Sequence, residues 1–326
     1  MNERAISRRN LITATGGALA GAAMLSPTAL AASGGGLPKL RGAQRFVWVA
    51  ANIGDPFYVD GLNGAKYFSK VFNVPISFVG PVTNDIAGMA KTFQATVADP
   101  RTTAIFSYFY GGFDAVKTFY AQAASKGIPV ANGASDWGGP RIGWSGVTNN
   151  DAPAIAAPYI NKALKGKGKI GYIGNTGVNI VAEEKIFENL IKTQYKGLTW
   201  VTNVTHNGSA ADALKQFTSL ITAHPDLDLV WFGDGLGPSI ANPLAAAAGK
   251  TKLLLRGFGA DGLKAIQQGK VLATLDRNPW EEEFYGMQLL YWYKAGRRVP
   301  DTVIVPTFVV DKTNVAKFSK NPYNHF

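Results

Sequence analysis

The feature that most constrains this chain is an alternation of short apolar strands with amphipathic helices, which begins at residue 46. Phe46 to Ala51 is a run of aromatic and β-branched residues, which predicts a buried strand. Residues 52–56 interrupt the run, and Asp55 is placed to cap a helix whose apolar positions lie on one face from Phe57 to Phe72. A strand, a turn and a helix in this order make one unit of an α/β fold.

Phe57 and Tyr58 stand where this turn enters its helix. Turns of this kind lie at the carboxyl edge of a parallel sheet, where open α/β folds place their binding crevice. Adjacent helical positions point about 100° apart, so the two rings cannot both face one sheet. We predict that one ring enters the core and the other lines a cleft. Burial of both rings is the alternative.

The alternation continues in two series of similar length. The first series contains predicted strands 74–79, 103–108 and 128–131, an extended segment 142–147, and helices 85–97 and 113–124. The second contains helices 154–164, 180–194, 209–223, 238–248 and 261–268, and strands 169–173, 198–204, 227–232, 252–257 and 271–275. Because each helix follows a strand after a short connection, we predict parallel sheets covered on both faces, in two doubly wound lobes.

The last predicted elements are a helix at 281–295 and a strand at 303–310. We expect the helix to pack on the first lobe and the strand to return to the second. The lobes are then residues 44–147 plus 277–305 and residues 148–276 plus 306–326. Three chain crossings, near 148, 276 and 306, form a hinge of the kind that closes a cleft around a ligand.

The first 31 residues predict an export signal. Arg8 and Arg9 form a twin-arginine box, a small-residue apolar run follows at 14–25, and Ala29 to Ala31 is typical of a cleavage site. A transmembrane anchor is the alternative, but the run is short for a hydrocarbon core of about 30 Å. We predict export to the periplasm by the twin-arginine route, cleavage near Ala31 and a linker at 32–43.

The composition excludes several classes of function. The chain has no Cys, hence no disulfide and no thiolate metal site. Its 33 Lys and Arg against 22 Asp and Glu give a net charge of +11, which favours an anionic membrane face or partner. The basic residues are scattered and the chain is predicted to leave the cytoplasm, so we predict no binding of nucleic acid.

No catalytic, metal or cofactor constellation stands out. The three His are far apart in sequence, and neither Ser135 nor Ser145 has a neighbouring His base. Residues 171–177 are glycine-rich but lack a phosphate-loop Lys. Glu281 to Glu283 open a helix, where we predict a solvated first turn that suits the helix dipole rather than a metal site. The sequence therefore predicts no cofactor and no enzyme.

Five segments together resemble one family. They are DPFYVDGLNGA at 55–65, SKGIPVANG at 125–133, LITAHPDLDLVWFGDG at 220–235, LRGFGADGLKAIQQGKVLATLDRNP at 255–279, and Tyr285-Gly286. Over 44–315 the chain resembles the ribose- and galactose-binding periplasmic proteins of ABC importers, which are type I solute-binding proteins. The resemblance implies two Rossmann-like lobes on a three-stranded hinge. It also implies that they close on one small polyhydroxylated molecule and present it to an ABC permease in the inner membrane.

A sugar site needs rings to stack on the C–H faces and fixed polar groups for the hydroxyl rim. The candidate rings are Phe57, Tyr58, Tyr108, Trp137 and Trp280. The candidate rim groups, at predicted strand ends or loops on the cleft side, are Asp55, Asp136, Asn175, Asp234, Asp261, Arg277 and Asn278.

The chain departs from the ribose-binding pattern at several of these positions. Arg277 stands where a hinge Gln is expected, and Val181, with Glu183 and Glu184 nearby, where an Arg is expected. The acid that follows the strand at 128–131 is displaced to Asp136. The resemblance therefore implies the fold but not ribose specificity, and another sugar, a polyol or a molecule carrying a ring is expected.

The sequence is compatible with three functions. The leading hypothesis is a monomeric binding subunit that feeds a sugar or polyol to an importer. The first alternative is a ligand-binding sensor subunit for a membrane receptor or kinase. The second is an exported sugar-modifying enzyme, which turnover of a bound sugar would reveal.

Overall fold

The computed structural model describes residues 37–320 apart from 51, 54–56, 83–84, 109–112, 135, 137 and 258, and at 113, 319 and 320 it describes the backbone alone. The predicted export signal and most of the linker therefore lie outside the described residues. The strands are β1 (Phe46–Val49), β2 (Ile76–Val79), β3 (Ala104–Ser107), β4 (Val130–Ala134), β5 (Trp144–Gly146), β6 (Gly168–Asn175), β7 (Leu198–His206), β8 (Leu229–Phe232), β9 (Lys252–Arg256), β10 (Ala273–Asp276), β11 (Thr302–Ile304) and β12 (Phe308–Asp311). The helices are α1 (Phe57–Phe72), α2 (Ile86–Ala98), α3 (Lys117–Ser125), α4 (Asp151–Ala163), α5 (Val178–Gln194), α6 (Ala210–Ala223), α7 (Ala241–Ala248), α8 (Ala260–Gln267), α9 (Pro279–Lys294) and α10 (Val315–Lys320).

The strands form two six-stranded sheets with the same plan. The first has the order β11-β5-β4-β3-β1-β2 and the second β12-β10-β9-β8-β6-β7. Neighbouring strands run parallel, except that β12 is antiparallel to β10. The predicted fold class, two doubly wound α/β lobes, is confirmed.

The tail of the chain differs from its prediction. Residues 303–310, expected as one strand, form the end of β11 in the first sheet and most of β12 in the second. Val305 still donates its N–H to the carbonyl of Gly146 at 2.9 Å. Pro306 has no N–H to donate and so cannot continue a ladder. The strand therefore breaks there, and its two halves join different lobes.

Helix α9 is the central helix of the first lobe. It packs on α1 and against β3, β4 and β5, and it is buried on nearly all sides, from Pro279 to Trp292 except at Tyr285. Its aromatic residues join one core with those of β1 and α1; Phe284, for example, lies 6.3 Å from Phe68 between ring centroids. The second lobe has separate cores on the two faces of its sheet.

The contact between α1 and α9 requires a glycine. A Cβ atom added at Gly64 would lie 2.1 Å from the carbonyl oxygen of Trp280, and backbone cannot move aside as a flexible side chain can. We expect Gly64→Ala to lower the free energy of unfolding by roughly 1–3 kcal/mol or more, although alanine favours a helix over glycine by about 1 kcal/mol. Guanidinium denaturation measures the change in the free energy of unfolding. Lys66→Ala, on the exposed side of the same helix, is the control and should leave stability nearly unchanged.

The segment before β1 is attached to the first lobe. Leu37 and Leu40 pack against its core, and the Tyr291 hydroxyl donates to the carbonyl of Pro38. Within the described part of the chain, no helix combines the length and the hydropathy that crossing a bilayer requires.

Candidate functional site

The strand order predicts a crevice at the same point of each sheet. In the first sheet the order reverses between β1 and β3, and in the second between β6 and β8. Open parallel sheets bind ligands outside the carboxyl ends of the strands that flank such a reversal. Phe57 and Tyr58 begin the helix that follows β1, and Tyr108 directly follows β3. In the second lobe Asn175 ends β6 and Asp234 lies just beyond β8.

Three aromatic rings cluster at the first of these edges. The Phe57 ring centroid lies 5.3 Å from that of Tyr58 and 5.9 Å from that of Tyr108. Tyr58 and Tyr108 are buried, whereas Phe57 is only partly buried. Tyr58 also packs 5.7 Å from the core residue Trp48. Tyr58 therefore enters the core, and Phe57 is the ring of the pair with surface at the crevice.

Arg277 links this aromatic cluster to helix α9. Its guanidinium carbon lies 5.6 Å from the centroid of the Phe57 ring, a cation–π distance. Its Nη2 donates to Oε1 of Glu282 at 3.1 Å, and the Tyr108 hydroxyl donates to Oε2 of the same carboxyl group. Both oxygens of Glu282 are thus occupied, and the guanidinium is fixed against the ring.

The run Glu281 to Glu283 is buried, so the predicted solvated helix turn is wrong. Glu282 and Glu283 have no exposed surface, and Glu281 keeps 5%. The reason is tertiary: α9 packs against both α1 and the strands β3, β4 and β5, so its first turn is covered. Burial raises the pKa values of Glu282 and Glu283 well above the usual range. Neither carboxyl oxygen of Glu283 has a hydrogen-bond partner among the described residues.

Two aspartates extend this acidic cluster. Burial, with the charge of Asp276, raises the pKa of Asp60 to about 8, although a backbone hydrogen bond from Trp280 opposes the rise. Burial likewise raises the pKa of Asp276 to about 7. Among the described residues, no group of three or more His, Asp or Glu side chains is arranged to hold a metal ion. Burial favours the protonated form of these carboxyl groups, which lie beside the chain crossing at 277–278.

In the second lobe Asp234 ties together three strand ends. Its carboxylate accepts the backbone N–H groups of Asn175 at 2.8 Å and Leu236 at 3.0 Å. It also lies 2.7 Å from Nε2 of His206, at the end of β7. Because His206 Nδ1 accepts the N–H of Gly208 at 3.0 Å, the proton of a neutral imidazole is on Nε2, which lies near the Asp234 carboxylate without a hydrogen bond to it. This position of His206 was not predicted from the sequence, although His206 lies just beyond the predicted strand 198–204 and so near the carboxyl edge that carries Asp234.

A buried ion pair lies on the same side of the second lobe. The Arg256 guanidinium contacts both carboxyl oxygens of Glu183, at 2.5 and 2.8 Å, and donates to the carbonyl of Gly233 at 2.9 Å. Burial raises the pKa of Glu183, and the positive charges of Arg256 and Arg277 oppose that rise.

Several predicted site residues lie elsewhere. Trp280 lies in the core of the first lobe, stacked on Phe284 with ring centroids 5.2 Å apart, rather than at a crevice. Asn278 caps α9, since its side-chain oxygen accepts the N–H of Glu281 at 3.3 Å. Both differences have one cause, which is that the start of α9 is inserted into the lobe.

The acidic candidates on the rims have different surroundings. Asp136 accepts from Arg141 at 2.5 Å, and Arg141 also donates to Asp301 at 2.7 Å. This pairing ties the loop between β4 and β5 to the segment before β11. Asp261 is exposed in the first turn of α8. Asp55 and Trp137 lie outside the described residues.

Comparisons with known proteins agree with this architecture. A family model described as a periplasmic binding protein domain matches residues 46–298. A search of curated protein sequences found no significant match.

The chain is similar to solved structures of binding proteins. A glucose-galactose binding protein from Geobacillus stearothermophilus, GanP, superposes with a TM-score of 0.73 at 19% identity, covering 84% of this chain and 99% of that one. A solute-binding protein of Burkholderia graminis in complex with D-arabinose gives 0.74 at 20% identity, covering 86% and 98%. A solute-binding protein from Agrobacterium vitis bound with α-D-tagatopyranose superposes with a TM-score of 0.74 at 20% sequence identity, covering 84% of this chain and 98% of that one. At these identities the likeness shows a common fold.

Proposed function

The chain belongs to the periplasmic binding protein family, and from that premise we propose that it captures a sugar or sugar-like polyol between its lobes for delivery to an ABC permease. The observation that carries this proposal is the matched pair of crevices. The two sheets have the same strand order, and Phe57, Tyr58 and Tyr108 in one lobe and Asn175 and Asp234 in the other follow the strands that flank its reversal.

The named ligands of three similar structures support the choice of ligand class. The titles of those proteins name glucose and galactose, D-arabinose and tagatopyranose. In this chain Phe57 offers a partly exposed ring, and polar backbone and side-chain groups at Asn175 and Asp234 lie at the opposite edge. A ring beside polar groups suits a molecule with C–H faces and a hydroxyl rim.

The proposal extends to how the protein is delivered and what it meets. The twin-arginine leader supports export to the periplasm with cleavage near Ala31. The mature chain acts as a monomer and docks transiently on the permease, and it carries out no reaction on its ligand. The crossings at 147–150, 277–278 and 305–307 support a hinge between the lobes.

Thermal-shift screening of purified protein against neutral sugars and polyols tests the proposal. A ligand that binds only the native state at 100 times its Kd adds about 2.7 kcal/mol of stability, which raises the melting temperature by roughly 5–10 °C. We expect Phe57→Ala to remove most of this rise. Tyr293→Ala, which removes a ring that is 48% exposed near the end of α9, should retain it. If a broad library produces no shift, the proposal fails.

A further inference from the structure

The amino edge of the second sheet carries a cluster of lysines. Because β6, β7, β8 and β9 run parallel, the turns that lead into them meet at one edge. Segments that are far apart in sequence are gathered there: the end of α4 with the turn into β6, the turn into β7, and the start of β9. The lysines of these segments are all exposed, and together we call them the basic edge: Lys162, Lys165, Lys167, Lys169, Lys196 and Lys252.

Hydrogen bonds hold the segments of the basic edge side by side. The N–H of Gly168 donates to the carbonyl of Gly197 at 3.2 Å, which places the turn into β6 beside the turn into β7. The Nζ atom of Lys252, at the start of β9, donates to the carbonyl of Ala163, at the end of α4, at 3.3 Å. The six lysines therefore belong to one continuous surface.

The basic edge has too few acids to neutralise it. Asp226 is paired with Lys169, and Asp228 accepts the backbone N–H of Lys169 at 2.7 Å. A third acid, Asp311, acts electrostatically on Lys162. Among the described residues, the five lysines other than Lys169 form no salt bridge. Six lysines against three acids leave this surface positive.

The arrangement of the basic edge suits a broad anionic surface better than a small ion. Its ammonium groups are exposed and spread over several turns, rather than converging on one buried point. The large apolar side chains that are exposed among the described residues lie in other parts of the chain, namely Val59, Val82, Ile86, Val178, Tyr293 and Ile304. Contact at the basic edge is therefore electrostatic, without insertion of an apolar anchor. Flexible, strongly hydrated lysines of this kind are attracted to anionic lipid headgroups.

We propose that the basic edge adsorbs reversibly to the surface of an anionic phospholipid membrane. The inference rests on the proposed function, which places the mature chain beside the inner membrane and its permease. The predicted crevice of the second lobe lies at the carboxyl ends of the same strands. Strand β6 has eight residues, so the two edges are separated by roughly 25 Å. Adsorption thus leaves this crevice uncovered and confines the search for the permease to the plane of the membrane.

The test measures binding to lipid vesicles by co-sedimentation, in the absence of sugar. The protein, purified in its exported form, is mixed with vesicles of equimolar phosphatidylglycerol and phosphatidylcholine, or of phosphatidylcholine alone. The basic-edge variant is Lys162→Gln/Lys167→Gln/Lys196→Gln. Lys165 is left unchanged, because its φ of 54° lies in the left-handed region. The matched control removes the same charge from exposed positions of the first lobe, as Lys66→Gln/Lys91→Gln/Lys117→Gln.

We expect the wild type and the first-lobe variant to bind the mixed vesicles at about 0.1 M salt and to leave pure phosphatidylcholine unbound. The basic-edge variant should bind on the order of 100-fold more weakly, since each lysine near such a surface contributes roughly fivefold in affinity. Raising the salt to about 1 M should release the wild type, because the Debye length shortens from about 10 Å to about 3 Å.

Several outcomes overturn the inference. The wild type fails to bind the mixed vesicles, or the basic-edge variant binds them as tightly as the wild type. Equal losses in both variants would show that net charge alone matters. Binding of heparin through the same lysines, without binding of the mixed vesicles, would assign the basic edge to a soluble polyanion instead.

The proposed function succeeds or fails by a separate measurement. The basic-edge variant should keep the thermal shift that a sugar or polyol gives the wild type, which also shows that the variant is folded. If no sugar or polyol shifts either protein, the proposed function is lost, whereas binding to the mixed vesicles still decides whether the basic edge adsorbs to a membrane.

Discussion

The melting temperature of this protein should fall by on the order of 10 °C as the pH rises from 5 to 9. The cause is the acidic cluster beside α9. Burial raises the pKa of Asp60 to about 8 and that of Asp276 to about 7, and it raises the pKa values of Glu282 and Glu283 as well. All four groups hold protons in the folded state that they release in the unfolded state at the same pH.

The sign follows from proton linkage. A carboxyl group with a raised pKa in the folded state contributes its full stability below the pKa of the unfolded chain, and loses it as the pH rises toward the folded value. For Asp60 the window runs from 3.8 to about 8. Each pH unit within this window lowers the free energy of unfolding by about 1.4 kcal/mol, so roughly 6 kcal/mol is the upper limit for this group. Stability is therefore greatest on the acidic side of neutrality.

Asp60→Asn separates this group from the others. The amide keeps an oxygen for the N–H of Trp280 but cannot ionise, so the variant should depend less on pH and be more stable than the wild type at pH 9. Melting curves across the pH range measure both effects. Asp114→Asn, at a side chain that is 93% exposed, should follow the wild type throughout. Stability that rises between pH 5 and 9 in the wild type would contradict the assignment.

The fold was largely readable from hydrophobic periodicity. Strands and helices alternate and are separated by clear turn residues, so two doubly wound lobes could be predicted. The packing of α9 on the first lobe is as expected. The break in the tail strand was not predicted. The apolar, β-branched run at 303–310 dominated the interpretation, although Pro306 within it cannot donate to a ladder.

The candidate site was predictable where it depends on local sequence. The sequence predicted that one of Phe57 and Tyr58 enters the core, and Tyr58 does so while Phe57 is only partly buried. That Phe57 lines a ligand cleft stays a prediction. Pairings between distant strand ends were not predictable. Asp234 was proposed as a ligand for a sugar, but His206, which lies 2.7 Å from its carboxylate, comes from another strand. Nothing local in the sequence links the two.

Buried charge was the least predictable feature. Charged residues are seldom fully buried unless paired, so three consecutive glutamates indicated a solvated turn. Their burial depends on the packing of helix α9 against both α1 and the sheet, which no short window of sequence reveals. The burial of Arg256 was not predicted either, because a single Arg at the end of an apolar strand usually marks the point where the strand reaches the surface. Its partner Glu183 lies on a helix of another βα unit.

Loss of one member of the Arg256–Glu183 pair should strongly destabilise the protein, since neither side chain is more than 2% exposed. We expect Arg256→Leu to lower the free energy of unfolding by roughly 3–5 kcal/mol, because it leaves a buried carboxyl group without its cation. Chemical denaturation measures the loss. Removing the cation from an exposed pair, by Lys192→Leu beside Glu188, should change stability little.

The double variant Arg256→Leu/Glu183→Leu shows what the pair contributes. Replacing both members of a buried ion pair by apolar residues is often neutral or stabilising, so the double variant should recover most of the stability lost in the single one. A double variant as unstable as Arg256→Leu would trace the loss instead to the hydrogen bond from Arg256 to the carbonyl of Gly233. Recovery would mean that the Coulomb attraction within the pair does little more than offset the desolvation of its two charges, so that the pair adds little net stability to the fold.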